Sequence, residues 1–289
     1  MATVSDWLEG ARLRTLPAAL SPVLLGTGAA LGAGEASAVR ALLAAGVALA
    51  LQVGVNYAND YSDGVRGTDD VRTGPPRLTG GGIAEPAAVK RAAFLAFGVG
   101  AVLGLVLVAL SGSWWLLSLG ALAVAAAWFY TGGKHPYGYL GLGEVGVFVF
   151  FGLVATLGTV WTQAHALPWT VWVGASGLGL LTCAVLMVNN VRDIPTDARA
   201  GKRTLAVRLG DRRARLTYVG MLVAPLVLGA ACAVVNRWSL LVLLLVPWVV
   251  RFSRVVLRGA TGRELIVVLR DTGLLGLGYG ILLGVGLAT

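Results

Sequence analysis

Apolar stretches long enough to cross a bilayer recur nine times along the chain, near 15–32, 39–58, 87–110, 114–130, 142–163, 169–190, 215–235, 240–256 and 273–287. Crossing the hydrocarbon as a helix takes roughly 17–25 predominantly apolar residues, and only helices or closed barrels satisfy every backbone polar group there. The runs are continuous rather than alternating, so they predict an all-α polytopic membrane protein with nine transmembrane helices. Polar positions are spread unevenly between them. The connections near 110–114, 163–169 and 235–240 are very short, whereas those after the second, fourth, sixth and eighth helices are longer and carry nearly all the unusual polar residues.

Composition agrees: 57% hydrophobic residues, 13% charged residues and a mean hydropathy of +0.79 exclude an ordinary soluble domain. Forty-one glycines suit helices that approach closely in lipid. A formal charge of +9 would raise the question of nucleic acid in a soluble chain. Its placement gives it another meaning. With a cytoplasmic N-terminus, every one of the 23 Lys and Arg residues except Arg40 and Arg237 falls on the cytoplasmic side, as the positive-inside rule requires. That phase supports an odd helix count and puts the polar loops, and any active site on them, on the cytoplasmic face of the inner (plasma) membrane. The partner of the charge is then the lipid bilayer, not nucleic acid. Cys183 and Cys232 both lie in apolar runs without metal-ligand spacing and read as buried apolar residues. Arg12 and Arg14 before 16–31, with a small-residue stretch at 35–38, give the start a signal-peptide look. Removing that segment would leave an even number of helices and spoil the charge pattern, so it is expected to remain as the first helix. The whole chain, 1–289, is expected to form one transmembrane domain.

Candidate chemistry sits in two clusters. The first reads Asn56-Tyr-Ala-Asn59-Asp60-Tyr-Ser-Asp63-Gly-Val-Arg66-Gly67-Thr-Asp69-Asp70. Asn59 and Asp63 are four apart and Asp60 and Asp63 three apart, so a helix continuing through them turns their oxygens toward one volume. Hard oxygens so grouped suit Mg²⁺, which is held by one or two carboxylates and completed by water and substrate phosphates. Gly64, Gly67 and Gly74-Pro75-Pro76 predict a break soon after Asp63. Arg66, Arg72 and Arg77, with the glycine run 80–82, then place cations and free amides beside the acids. The second cluster, Asn189-Asn190-Val-Arg192-Asp193-Ile-Pro-Thr-Asp197, puts two acids one helical turn apart and is followed by Arg199, Lys202, Arg203 and Arg208. A solvated loop pairing Asp with Arg accounts for either cluster alone. Two acidic pairs, after the second and the sixth helix and each followed by a basic loop, fit a metal and diphosphate site better. They also suggest a weak duplication over about 1–135 and 136–289.

A third stretch, Tyr130-Thr-Gly-Gly-Lys134-His135-Pro-Tyr137-Gly-Tyr139, carries the only cation between the fourth and fifth helices, Lys134, among Trp128, Phe129 and three tyrosines. Aromatic faces stabilise a cation by ~0.5–2 kcal/mol per contact, although a headgroup-level aromatic belt explains the same rings. His135 and His165 lack a paired ligand spacing and read as structural.

Asn59-Asp60-Tyr-Ser-Asp63, Asp193-x-x-x-Asp197 and Tyr130-x-x-x-Lys134 resemble the signature of the UbiA superfamily of intramembrane aromatic prenyltransferases. The longer runs N-x-x-N-D-Y-x-D-x-x-x-G-x-D over 56–69, Y-G-Y-x-G-L-G-E-V over 137–145 and V-N-N-V-R-D-I-x-T-D-x-x-A-G-K-R-T-L-A-V-R-L-G over 188–210 resemble its 1,4-dihydroxy-2-naphthoate polyprenyltransferases of menaquinone synthesis, as does Arg12-Leu-Arg14-Thr-Leu-Pro17. The resemblance implies nine helices around a central cavity, Mg²⁺ as cofactor, and a polyprenyl diphosphate and an aromatic acceptor as partners. Asn59, Asp63, Asp193 and Asp197 match its metal-binding positions. The superfamily's commoner third acid, four residues after Asp63, is Gly67 here, and Asp60 or Asp69 is the candidate replacement. Candidates to bind diphosphate are Arg66, Arg77, Lys134, Lys202 and Arg203. Arg14, Asn56, Tyr130, Tyr139 and Asn190 are candidates for the acceptor or prenyl pocket. Asp63, Asp193, Asp197, Lys134 and Tyr139 are the catalytic candidates.

The implied reaction ionises the allylic C–O bond, lets an electron-rich naphthol carbon attack, and releases the ring carboxylate as CO₂. One rival is transfer to another acceptor of the 4-hydroxybenzoate, haem or chlorophyllide type. Another is an ion-coupled transporter, because intramembrane carboxylates in repeated halves also mark ion pathways. The acids stand at helix ends beside basic inner loops rather than near the midplane, which argues against transport.

Overall fold

The computed structural model describes residues 2–68 and 77–289, and among them the chain is helix and connection without strands. In order the helices are α1 (Val4–Gly10), α2 (Leu16–Gly32), α3 (Ala38–Val65), α4 (Pro86–Ser111), α5 (Leu116–Phe129), α6 (Gly143–Ala164), α7 (Trp169–Arg199), α8 (Leu205–Leu209), α9 (Asp211–Ala231), α10 (Val246–Leu257) and α11 (Gly262–Ala288). Each predicted apolar run coincides with one of them. Among the described residues, eight spans are long and apolar enough to cross a membrane, counting α1 and α2 together. The remaining run forms α5, whose 14 residues extend about 21 Å, less than the hydrocarbon thickness.

Three helices run further than the apolar pattern foretells. α3 continues past 58 to Val65, α7 past 190 to Arg199, and α11 begins at Gly262 rather than 273. Hydropathy marks where lipid ends, and a helix with satisfied backbone bonds has no reason to stop there. What ends α3 is Gly67, at φ +71°, with its N–H bonded to the Gly64 carbonyl and the Thr68 N–H bonded to the Asp63 carbonyl. This pair of bonds is the Schellman termination, which needs a left-handed residue and so favours glycine. The position that holds an acid more commonly in the superfamily is therefore the helix stop in this chain.

The helices pack through small residues, as expected where lipid supplies little drive for association. α2 lies so close to α11 that a Cβ on Gly28 would strike the backbone of Gly284, and one on Gly32 would strike the Leu287 carbonyl. This seam joins the first long helix to the last. Gly54 of α3 lies under the Phe97 ring of α4, and Gly152 of α6 faces Gly179 of α7. α6 itself carries a wide, π-type turn over Phe148–Val154. The largest buried cluster runs from Leu25 through α7, α9, α10 and α11, where the Tyr218 and Thr272 hydroxyls lie 2.8 Å apart. Arg215, 7% exposed, is neutralised by Asp211 and donates to the carbonyls of Val256 and Ala260 at 2.8 and 2.9 Å. Outward-facing Leu42, Leu95, Val102 and Val227 are mostly exposed. Such a surface is untenable in water and ordinary against lipid.

Candidate active site

The polar residues gather at one end of this apolar scaffold. Asp63 lies in the last turn of α3 and is only 6% exposed. Its Oδ1 accepts from the Tyr139 hydroxyl and stands 3.4 Å from Lys202 Nζ. Lys202 also lies 4.6 Å from the centre of the Tyr139 ring, and its backbone N–H donates to the Asp197 carbonyl at 2.9 Å. The Arg203 N–H donates to the Tyr139 carbonyl at 2.9 Å. The connection before α6 and the loop after α7 are thus laced together over the end of α3. Asn59, one turn before Asp63, accepts at Oδ1 from the Thr131 hydroxyl at 2.8 Å. Arg66 donates to the Gly133 carbonyl and stacks over Tyr139 at 5.4 Å.

In the second cluster Arg192 holds the neighbouring Asp193 by two bonds, at 2.7 and 2.6 Å, and reaches Asn189 Oδ1 at 2.9 Å. Asp193 is 7% exposed, and a carboxylate that buried needs a charged or hydrogen-bonding partner. Asp197, half-buried, follows one turn later. A small cleft of about 60 Å³ is lined in part by Asn189 and Arg192 of this cluster. Arg12, Arg14 and Arg77 meet Asn189 and Arg192 in its wall, together with Glu9 and Asp60, so both clusters border one basic space. Arg12 occupies the left-handed region at φ 53° and ψ 59° where α1 turns toward α2. A long side chain is uncommon there, and such strain collects at functional sites.

Several residues serve differently from their sequence reading. Asp60 is completely buried, and its two oxygens accept the backbone N–H groups of Leu78 and Thr79 at 3.1 and 2.8 Å. It anchors the chain where it returns toward α4, which accounts for it better than metal binding. Asp69 lies outside the described residues. Lys134, a candidate to bind diphosphate, is exposed and, among the described residues, pairs with no acid; the Gly133 turn at φ +75° precedes it, and the lysine beside Asp63 is Lys202. Asn56 is buried and ties α3 to the N-terminal segment, donating to the Ala11 carbonyl at 2.9 Å and Thr15 Oγ1 at 3.1 Å. Asn190 donates to Glu144 Oε1 at 3.2 Å. Arg14 and Arg77 line the cleft, while Arg203 is exposed above Tyr139. Thr131, Arg12, Arg192 and Glu144 complete the surroundings and were not among the sequence candidates. Arg12, Arg192 and Glu144 stand inside the quoted family runs, and Thr131 inside Tyr130-x-x-x-Lys134, which was the signal for them.

Burial, and after it the Asp63 carboxylate, hold the Tyr139 phenol well above its usual range, so it remains a donor to Asp63. Tyr130 is raised likewise by burial, then by Glu144, Tyr137 and Asp63, with Arg12 opposing. Tyr137 is pushed up to about 12 by burial. Among the described residues no three His, Cys, Asp or Glu side chains surround one ion-sized point. The oxygen donors instead form two arms, Asn59 with Asp63 and Asp193 with Asp197. That donor set fits Mg²⁺, which takes few protein carboxylates and completes its shell from water and phosphate.

Fold and site define a polytopic helical membrane protein with a charged-ligand site at one end of an apolar bundle. The model of the UbiA prenyltransferase family matches residues 19–266, and the chain belongs to that family. It is 53% identical to the 1,4-dihydroxy-2-naphthoate octaprenyltransferase of Mycobacterium tuberculosis (strain ATCC 25618 / H37Rv), over 95% of this chain and 94% of that protein. It is 40% identical to the enzyme of the same name from Escherichia coli (strain K12), over 87% and 85% of the two chains. Among solved structures, a UbiA homolog from Archaeoglobus fulgidus bound to DMAPP and Mg²⁺ shares the fold, with a TM-score of 0.70 and 13% identity over 96% of this chain and 98% of that one.

Proposed function

We propose that this protein catalyses the Mg²⁺-dependent transfer of a polyprenyl chain from polyprenyl diphosphate to 1,4-dihydroxy-2-naphthoate, with loss of CO₂, to give demethylmenaquinol at the cytoplasmic face of the inner membrane. Relatives named for this acceptor support the choice of substrate. The chemistry rests on one observation, the convergence of Tyr139 and Lys202 on Asp63 at the end of α3.

Asn59, Asp63, Asp193 and Asp197 would hold Mg²⁺, which when bound neutralises the diphosphate and makes it a better leaving group. Tyr139 fixes Asp63 through its hydroxyl and carries Lys202 on its ring, so a carboxylate and an ammonium are both set before substrate arrives. Lys202 and Arg66 then receive non-bridging diphosphate oxygens, and Arg77 extends the positive wall into the cleft. Arg12, Arg14 and Arg192 suit the carboxylate of the aromatic acceptor. The polyprenyl tail is as apolar as the surrounding helices and lipid, and a water-poor site keeps an allylic cation from being captured as alcohol.

The test is prenyl transfer by the purified protein in lipid, beside Asp63→Ala and Asp193→Ala. Both variants are expected to lose at least 100-fold in rate, the scale on which removing a transition-state electrostatic contact acts. Full activity in both overturns the site, and a wild-type preference for 4-hydroxybenzoate overturns the acceptor.

A further inference from the structure

The side that α10 turns outward is not apolar along its whole length. Arg251, Arg254 and Arg258 stand at i, i+3 and i+7, which puts them on one side of the helix within two turns, about 10 Å along its axis. All three are exposed, whereas Val249, Phe252 and Val256 on the opposite side are buried against the bundle. Trp248, one turn before Arg251 and on its side, is 51% exposed. Among the described residues none of the three arginines pairs with an acid, and Asp211 of α9 and Asp271 of α11 are held by Arg215 and Arg270. α10 completes a span of 21 residues, Arg237–Leu257, long and apolar enough to cross a membrane. Arg251 therefore leaves the helix about 9 Å inside the end of that span. A guanidinium at that depth is costly against hydrocarbon, so it reaches toward the headgroups, where the anion that the protein does not supply is a lipid phosphate. The inner side of α10 is fixed at the same level, because Arg215 donates to the Val256 and Ala260 carbonyls.

We propose that this side of α10 binds one anionic phospholipid of the adjoining leaflet, with Arg251, Arg254 and Arg258 on the headgroup and Trp248 along the start of the acyl chain. Planar guanidinium groups match phosphate oxygens two at a time, which a diffuse positive surface does not. An indole suits the boundary between headgroup and chain, being apolar with one polar edge. The occupant is a lipid rather than free phosphate because cations and an aromatic surface share one side of the helix, and a free anion gains nothing from Trp248. An anionic lipid is favoured over a zwitterionic one, whose own cation is repelled by three arginines. Bound there, the lipid holds the outer side of α10 while Arg215 holds the inner side, so its effect falls on the stability of the α9, α10 and α11 cluster. The site is separate from the residues assigned to prenyl transfer and does not depend on the identity of the acceptor.

The full chain in a neutral detergent is titrated with phosphatidylglycerol, with phosphatidylcholine and with inorganic phosphate, and its melting temperature and its bound lipid by native mass spectrometry are read. Phosphatidylglycerol is expected to stay bound and to raise the melting temperature, while the other two leave it unchanged. A variant carrying Arg251→Gln, Arg254→Gln and Arg258→Gln together should bind phosphatidylglycerol about 100-fold more weakly, the combined share of three arginines at an anionic surface. A second variant, with Arg212→Gln, Arg213→Gln and Arg263→Gln, removes the same charge from exposed positions on α9 and α11. It should bind within about threefold of wild type. Equal losses in the two variants would reduce the effect to diffuse attraction by the whole basic surface and overturn the site. Equal stabilisation of the wild type by phosphatidylcholine, or by inorganic phosphate, overturns it as well. Where the first variant fails to fold, Arg254→Gln alone carries the test, with binding about fivefold weaker expected; unchanged binding overturns the site.

Discussion

Tyr139 gives its hydroxyl to Asp63 while its ring carries Lys202, whose Nζ lies 3.4 Å from the same carboxylate. One side chain from the connection before α6 thus sets two opposite charges at the end of α3. Tyr139→Phe separates the two duties, since it keeps the ring and removes the donor. A charge-assisted hydrogen bond is worth roughly 1.5–3 kcal/mol, so kcat/KM should fall about 10- to 100-fold. Tyr139→Ala should fall further and raise the KM for polyprenyl diphosphate as Lys202 loses its seat. Equal kinetics in the two variants would mean that the ring does not position the lysine.

Lys202 Nζ lies 3.4 Å from Asp63 Oδ1, one of the oxygens assigned to Mg²⁺, and so it competes with the ion for that oxygen. Lys202→Gln is expected to move two constants in opposite directions. The Mg²⁺ concentration for half-maximal rate should fall about threefold, and the KM for polyprenyl diphosphate should rise about tenfold, about 1.4 kcal/mol of lost charge-assisted binding. Titrating each ligand at saturation of the other reads both. A rise in both constants would place Lys202 outside the metal arm.

Asp60 and Asp63 are three residues apart and should fail in different ways. Asp60→Ala strips the Leu78 and Thr79 amides of their acceptor and leaves buried donors unsatisfied, at about 1–3 kcal/mol for each. Its melting temperature in detergent should drop, while the Mg²⁺ dependence of the remaining activity stays as in wild type. Asp63→Ala should melt near the wild-type temperature and lose activity at every Mg²⁺ concentration. A shifted Mg²⁺ requirement in Asp60→Ala would return that residue to the metal site.

The seam between α2 and α11 leaves no room for a side chain at Gly28, because a Cβ there meets the Gly284 backbone. Backbone cannot rotate away as a flexible side chain can. Gly28→Val should therefore cost about 3 kcal/mol, the upper part of the overpacking range, seen as a lower melting temperature with the Mg²⁺ requirement unchanged. Gly98, which faces open space, should accept Ala with little effect.

The helices were legible because lipid imposes a single simple pattern, and each apolar run became a helix. Hydropathy did not mark their ends, since Asp63 and Asp197 are polar and yet helical; the break that Gly64 and Gly67 predict after Asp63 is where α3 stops, and Gly201 supplies the left-handed stop after Asp197. Spacing put Asn59 with Asp63 on α3 and Asp193 with Asp197 on α7, because residues three and four apart share a helix face. Partner choice could not be. Lys134 had the right neighbours in sequence, but Gly133 turns the chain before it, and Lys202, held at its own backbone by Asp197, reaches Asp63 instead. Asp60 looked equivalent to Asp63 and differs only because the return of the chain at Leu78 and Thr79 consumes its oxygens.

The central claim is a prenyl transfer coupled to decarboxylation, and one labelling experiment tests it most directly. The wild-type protein in lipid is given Mg²⁺, a polyprenyl diphosphate and 1,4-dihydroxy-2-naphthoate labelled in its carboxylate, and both the released CO₂ and the mass of the lipid product are measured. The account predicts one labelled CO₂ for each prenylated naphthoquinol, with neither formed once Mg²⁺ is chelated. A prenylated product that retains the label, or an absence of prenylated product at saturating substrates, would contradict it.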